Sequence, residues 1–191
     1  LDRCRVSKLI TLKPTMKADG GLHMTHKSDM NLGLKNVWEF VCYDSNGIEK
    51  WRENKKNLVV TVGLNHVLSS CFDGATQITA WYVGLKAAGT VAAGDTMASH
   101  SGWAESVAYS QSVRQTLTLG TAAAGSIDNV GNLATYSING TATIAGAFIN
   151  SDNTKSGTAG TLYGAVDFGS ARSVISGDTL TVTVTMTAAS A

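Results

Sequence analysis

From Asp178 to Ala188 every second side chain is apolar. Leu180, Val182, Val184 and Met186 alternate with Thr179, Thr181, Thr183, Thr185 and Thr187. A period of two lines up the apolar groups only on a β-strand, so this segment reads as a strand with a core face and a hydroxyl face. Shorter runs of strand character occur at Asn36–Tyr43, Ile48–Glu53, Leu58–Val62, Thr79–Leu85, Arg114–Leu119, Ala134–Asn139, Thr141–Asn150 and Thr161–Phe168. Turn signals separate several of them: Asp44-Ser45-Asn46-Gly47 and Asn139-Gly140 carry the residues that accept positive φ. Short strands at about ten-residue spacing predict an all-β fold, an antiparallel β-sandwich of jelly-roll or immunoglobulin-like type.

One stretch breaks the period. Leu64, Val67, Leu68, Cys71 and Phe72 fall at helical spacing and predict a short helix near 64–72, its apolar stripe on the core. Asp73-Gly74 is its stop signal. Leu1–Leu34 has weak periodicity and three glycines, and reads as an extended N-terminal arm with one short strand near Leu9–Leu12. The expected organisation is therefore an arm, 1–34, and a sandwich domain, 35–191. Within that domain, the hairpin and helix (35–73) precede a β body (74–191).

Charge follows the same division. Residues 1–73 hold 11 Lys/Arg and 8 Asp/Glu; residues 74–191 hold 4 and 6. The net charge of +1 is too small and too mixed for a nucleic-acid binder. No apolar run reaches the ~18 residues of a membrane span. Leu1–Thr15 has scattered charges and no uninterrupted apolar core, so no secretory leader is expected. Three cysteines without tight spacing, Cys4, Cys42 and Cys71, are expected as reduced thiols, with Cys42 and Cys71 in the core.

Candidate chemistry is thin. His23 and His26 beside Asp29 lack a third ligand in fixed geometry, so no metal is expected. Asp95, Ser99, His100, Ser101 and Glu105 crowd one segment, but a catalytic triad needs a scaffold and an oxyanion site, and no nucleophile elbow is present; Thr96–His100 reads instead as a turn or short helix with Trp103 packed under it. The loop Gly157-Thr158-Ala159-Gly160 lacks the lysine and helix start of a phosphate loop. No cofactor is expected. Among the four tryptophans, Trp38 and Trp81 read as core. Trp51 and Trp103 lie next to charge and loop, and with Arg52, Lys55 and Lys56 form the candidate partner-contact set.

Several stretches resemble one family of tailed-bacteriophage virion proteins: Lys56–Asn65 (KNLVVTVGLN), Trp81–Leu85 (WYVGL), Ala93–Glu105 (AGDTMASHSGWAE), Gly160–Gly164 (GTLYG) and Ala171–Leu180 (ARSVISGDTL). The resemblance spans roughly residues 35–187. It implies a non-enzymatic structural component of a virion, a capsid decoration or cement protein made in the bacterial host cytoplasm. The implied partners are the major capsid protein and further copies of the chain, with no nucleic acid and no membrane. The rival expectation is a head-fibre or tail protein that binds host glycans through Trp51, Trp103 and the Lys86–Ser101 loop.

Overall fold

The computed structural model describes residues 32–190. Residues 1–31 of the expected arm (1–34) lie outside them, and with these Cys4, the strand near Leu9–Leu12 and the His23/His26/Asp29 group. The last three residues assigned to the arm, Leu32–Leu34, belong instead to strand β1 (Leu32–Tyr43).

Strand β1 turns into β2 (Glu49–Lys56) where the sequence predicts. Gly47 takes φ 77°, and the Asp44 carboxylate accepts the N–H groups of Asn46 (2.8 Å) and Ile48 (2.9 Å). These bonds, the Ile48 one foremost, hold the Asp44 carboxyl below its ordinary pKa.

The chain continues through β3 (Leu58–Val59) and helix α1 (Thr61–Phe72), then β4 (Tyr82–Gly89), β5 (Trp103–Ser106) and β6 (Gln115–Thr116). Next come β7 (Ser126–Asp128), β8 (Ala134–Ser137), β9 (Ala142–Asn150), β10 (Leu162–Val174) and β11 (Thr179–Ser190). They form two antiparallel sheets that pack face to face, the expected β-sandwich with one short helix. Leu58–Val62 is strand only to Val59, because the helix starts three residues before Leu64. The segment expected as a loop from Lys86 contributes Lys86–Gly89 to β4. Only Gln115–Thr116 of the strand expected over Arg114–Leu119 pairs, and β5 and β7 were not anticipated.

In the first sheet the order is β2-β1-β11, with β8 and β7 end to end on the far side of β11. Strands β1 and β11 pair without interruption from Leu32↔Ser190 to Tyr43↔Thr179. The register sets Trp38, Phe40 and Cys42 beside Val184, Val182 and Leu180, and all six are fully buried. The threonines face away, half-buried. Between β8 and β7 the ladder is completed by a side chain: Asn129 accepts the Val184 N–H (2.6 Å) and donates to the Val182 carbonyl (3.1 Å). An amide thus replaces a missing peptide group.

In the second sheet the order is β3-β10-β9-β4, with β5 and β6 sharing the outer edge of β4. Its inner face supplies Val83, Leu85, Ile144, Ile149 and Phe168 to the main core. Tyr136 of the first sheet reaches across and donates to the Val83 carbonyl (2.7 Å). Burial without water keeps that phenol from ionising, raising its pKa well above normal. The outer face is covered too. Val60, Met97, Trp103, Phe148, Leu162 and Ala165 make a second, smaller core there. The ring of Phe148 lies across Gly84, its strand partner; a Cβ on Gly84 would sit 2.2 Å from the ring.

Candidate interaction surface

The five candidate contact residues separate in the structure. Trp51 lies beside Cys42 on the inner side of β2, half-buried. Its ring meets Phe168 edge to face and its Nε1 donates to the Ser173 carbonyl (3.1 Å). Arg52 and Lys56 are exposed on the opposite side. The guanidinium of Arg52 bridges Glu39 (2.6 Å) and Glu49 (2.8 Å), and these hydrogen bonds raise its pKa further. Lys55 pairs with Glu53 (3.0 Å), which also accepts Arg172 of β10. Burial alone would raise the Glu53 carboxyl, but the hydrogen bonds from Lys55 and Arg172 outweigh it and hold the group below its ordinary value.

Trp103 is a correction. It is 6% exposed, stacked on His100 (3.9 Å between ring centroids) and tilted against Phe148. Its Nε1 donates to Asp95 (2.9 Å). An indole bound on both faces and at its nitrogen is a packing anchor and offers a partner nothing. The same contacts explain the crowd of polar residues around it. Asp95 is occupied by Trp103 and the Ala92 N–H, and His100 lies on the Trp103 ring. Glu105 forms a bidentate pair with buried Arg114 (2.9 and 2.8 Å). Arg114 also donates to the carbonyls of Asp152 and Gly157, both at 2.9 Å, so its donors are used within the fold.

Cys42 is buried as expected. Lack of water, and then the neighbouring Asp178 charge, pushes its thiol up to about 11, so it carries no thiolate at neutral pH. Asp178 is itself held by Lys50 (2.5 Å) and the Ile175 N–H (2.9 Å). Cys71 overturns the expectation: it is exposed.

The cause is the seating of α1. The helix approaches β10 through its first turn, where Gly63 has no side chain to strike the Tyr163 carbonyl; a Cβ there would sit 2.1 Å away. Farther along, α1 bridges a cavity of about 220 Å³ lined by His66, Ser70, Cys71, Trp81, Tyr163 and Met186. Val67 reaches the core, but the rest of the predicted stripe does not. Leu64, Leu68 and Phe72, one turn apart, are 39%, 53% and 81% exposed. They form an apolar ridge along the helix, a feature periodicity finds and then assigns to the wrong side.

Among the described residues no helix is long and apolar enough to cross a membrane, and no group of three or more His, Cys, Asp and Glu could hold a metal ion. No protein-family model and no curated protein matches the chain.

Proposed function

We propose that the protein is a non-enzymatic structural component of a tailed-bacteriophage virion, a decoration protein that cements the head. The observation that carries this reading is the Leu64–Leu68–Phe72 ridge, three apolar side chains one turn apart on the outside of the fold. The resemblance of Trp81–Leu85 and Ala93–Glu105 to virion proteins supports the same assignment. In this reading the ridge docks on the major capsid protein, and the charged β1–β2 hairpin, with Arg52 and Lys56 outermost, sets the register. Covering a Leu or Phe side chain contributes about 1.5–3 kcal/mol when burial is complete, so three such residues anchor a subunit that a lattice then repeats. Copies of the chain are the second partner, the capsid surface is its location, and no cofactor takes part. The burial of Trp103 removes one of the two rings that a glycan-binding surface would need.

The test is to compare heads with and without the protein. Heads that carry it withstand higher temperature and osmotic shock, and Phe72→Ser with Leu68→Ser abolishes its retention on them. Heads equally robust in its absence contradict the cement role.

A further inference from the structure

Lys86 is the one lysine among the described residues with no exposed side-chain surface, and its ammonium meets the carboxylate of Asp167 directly. Both stand on the covered face of the second sheet. Lys86 of β4 pairs with Gly146 of β9, which pairs with Asp167 of β10, so the two side chains flank a residue that has none. No side chain fits between them: a Cβ on Gly146 would sit 1.9 Å from the Val166 carbonyl. The Trp103 ring closes over the amine, 5.4 Å from Nζ.

The remaining polar contacts match an amide better than an ion pair. Asp167 Oδ1 faces the amine, while Oδ2 accepts the Val91 N–H (3.0 Å) as an amide oxygen would. Nζ donates to the Gly89 carbonyl (3.3 Å), the bond that a single amide N–H would keep.

From this arrangement we infer that Lys86 and Asp167 join in an intramolecular amide that cross-links β4 to β10. The ammonium passes one proton to Oδ1. The freed amine attacks Cγ and forms the Nζ–Cγ bond, a second proton moves from Nζ to Oδ1, and the Cγ–Oδ1 bond breaks. One water leaves, nothing is oxidised or reduced, and two opposite charges disappear. The Val91 N–H polarises the carbonyl under attack, and enforced contact supplies the effective concentration that bimolecular amide formation lacks. Removing a desolvated charge pair favours the product. The Asp167 side chain is 26% exposed, which gives the water a way out. Lys50 and Lys55 also meet carboxylates, but about 30% of each side chain is exposed, where water competes for the amine. The cross-link stands apart from the virion assignment and is tested without heads.

Mass spectrometry of the intact, denatured full chain decides it. The folded protein is expected to be lighter than its sequence by one water, and its digest to hold a branched peptide joining Lys86 to Asp167. Lys86→Arg and Asp167→Ala each return to the full mass of their own sequences. Wild-type protein at full sequence mass, with Lys86 and Asp167 recovered in separate linear peptides, overturns the inference whatever the variants do.

Discussion

The charge-rich and charge-poor parts of this chain use their charges in opposite ways. In the hairpin, Arg52, Glu39 and Glu49 pair on the surface, within reach of water. Beyond residue 74 charges are scarce, yet Lys86, Arg114 and Asp178 are buried, three of the four buried charged residues among those described. Apolar groups differ too: the charged part exposes Leu64, Leu68 and Phe72 in one row on α1, while the exposed large apolar side chains of the poor part, such as Val130 and Ile175, lie in turns between strands. Where charge is scarce, the buried charged side chains Lys86, Arg114 and Asp178 each join separate strands or loops. Where it is abundant, Arg52 and its carboxylates stay at the surface, and Glu53 is the buried exception.

Breaking an interior pair gives the largest effect. Glu105→Ala leaves the Arg114 guanidinium buried and unpaired, and the expected loss is about 3–5 kcal/mol in urea denaturation. Leu180→Ala, at the centre of the main core, is expected to cost about 2–4 kcal/mol by the same measurement. Gly84→Ala drives a methyl group into the Phe148 ring and is expected to cost about 1–3 kcal/mol, with a smaller cost in a Phe148→Leu background.

Acid sharpens the comparison at Glu53. Its folded pKa is depressed, so the stability it contributes is present above the carboxyl's unfolded value and is lost as pH falls through the folded one. Glu53→Gln is expected to flatten that acid limb in pH-dependent melts. The smallest effect belongs to the surface: Glu39→Ala is expected to change stability by at most about 1 kcal/mol, because the exposed Arg52 charge returns to water.

The fold was legible where one face of a strand meets water. Strand β11 alternates cleanly because its threonines cover an outer surface, and Asp44 with Asn46-Gly47 announces the hairpin through local hydrogen bonds alone. The second sheet is covered on both faces, so Ile144–Asn150 and Tyr82–Leu85 show apolar continuity without a period. Strands of two to four residues such as β5 and β7 are too short to carry one. A lone lysine beside Ala87-Ala88-Gly89 reads as a loop, and nothing local shows that Asp167, 81 residues away, receives it. Helix α1 could be placed from periodicity but not oriented: the stripe gives the apolar side, while the seat at Gly63 and the cavity beneath decide what that side faces. Trp103 shares its segment with Asp95 and His100, but Phe148, which the ring tilts against, lies 45 residues away and meets it only in the fold.

The proposal that α1 attaches the body to a phage head is tested most directly by a reconstruction of heads carrying the protein, at a resolution that follows side chains. The account predicts Leu64, Leu68 and Phe72 of α1 buried against the shell, with the outer threonine face of β11 away from that contact. Bound protein whose helix faces solvent would contradict it.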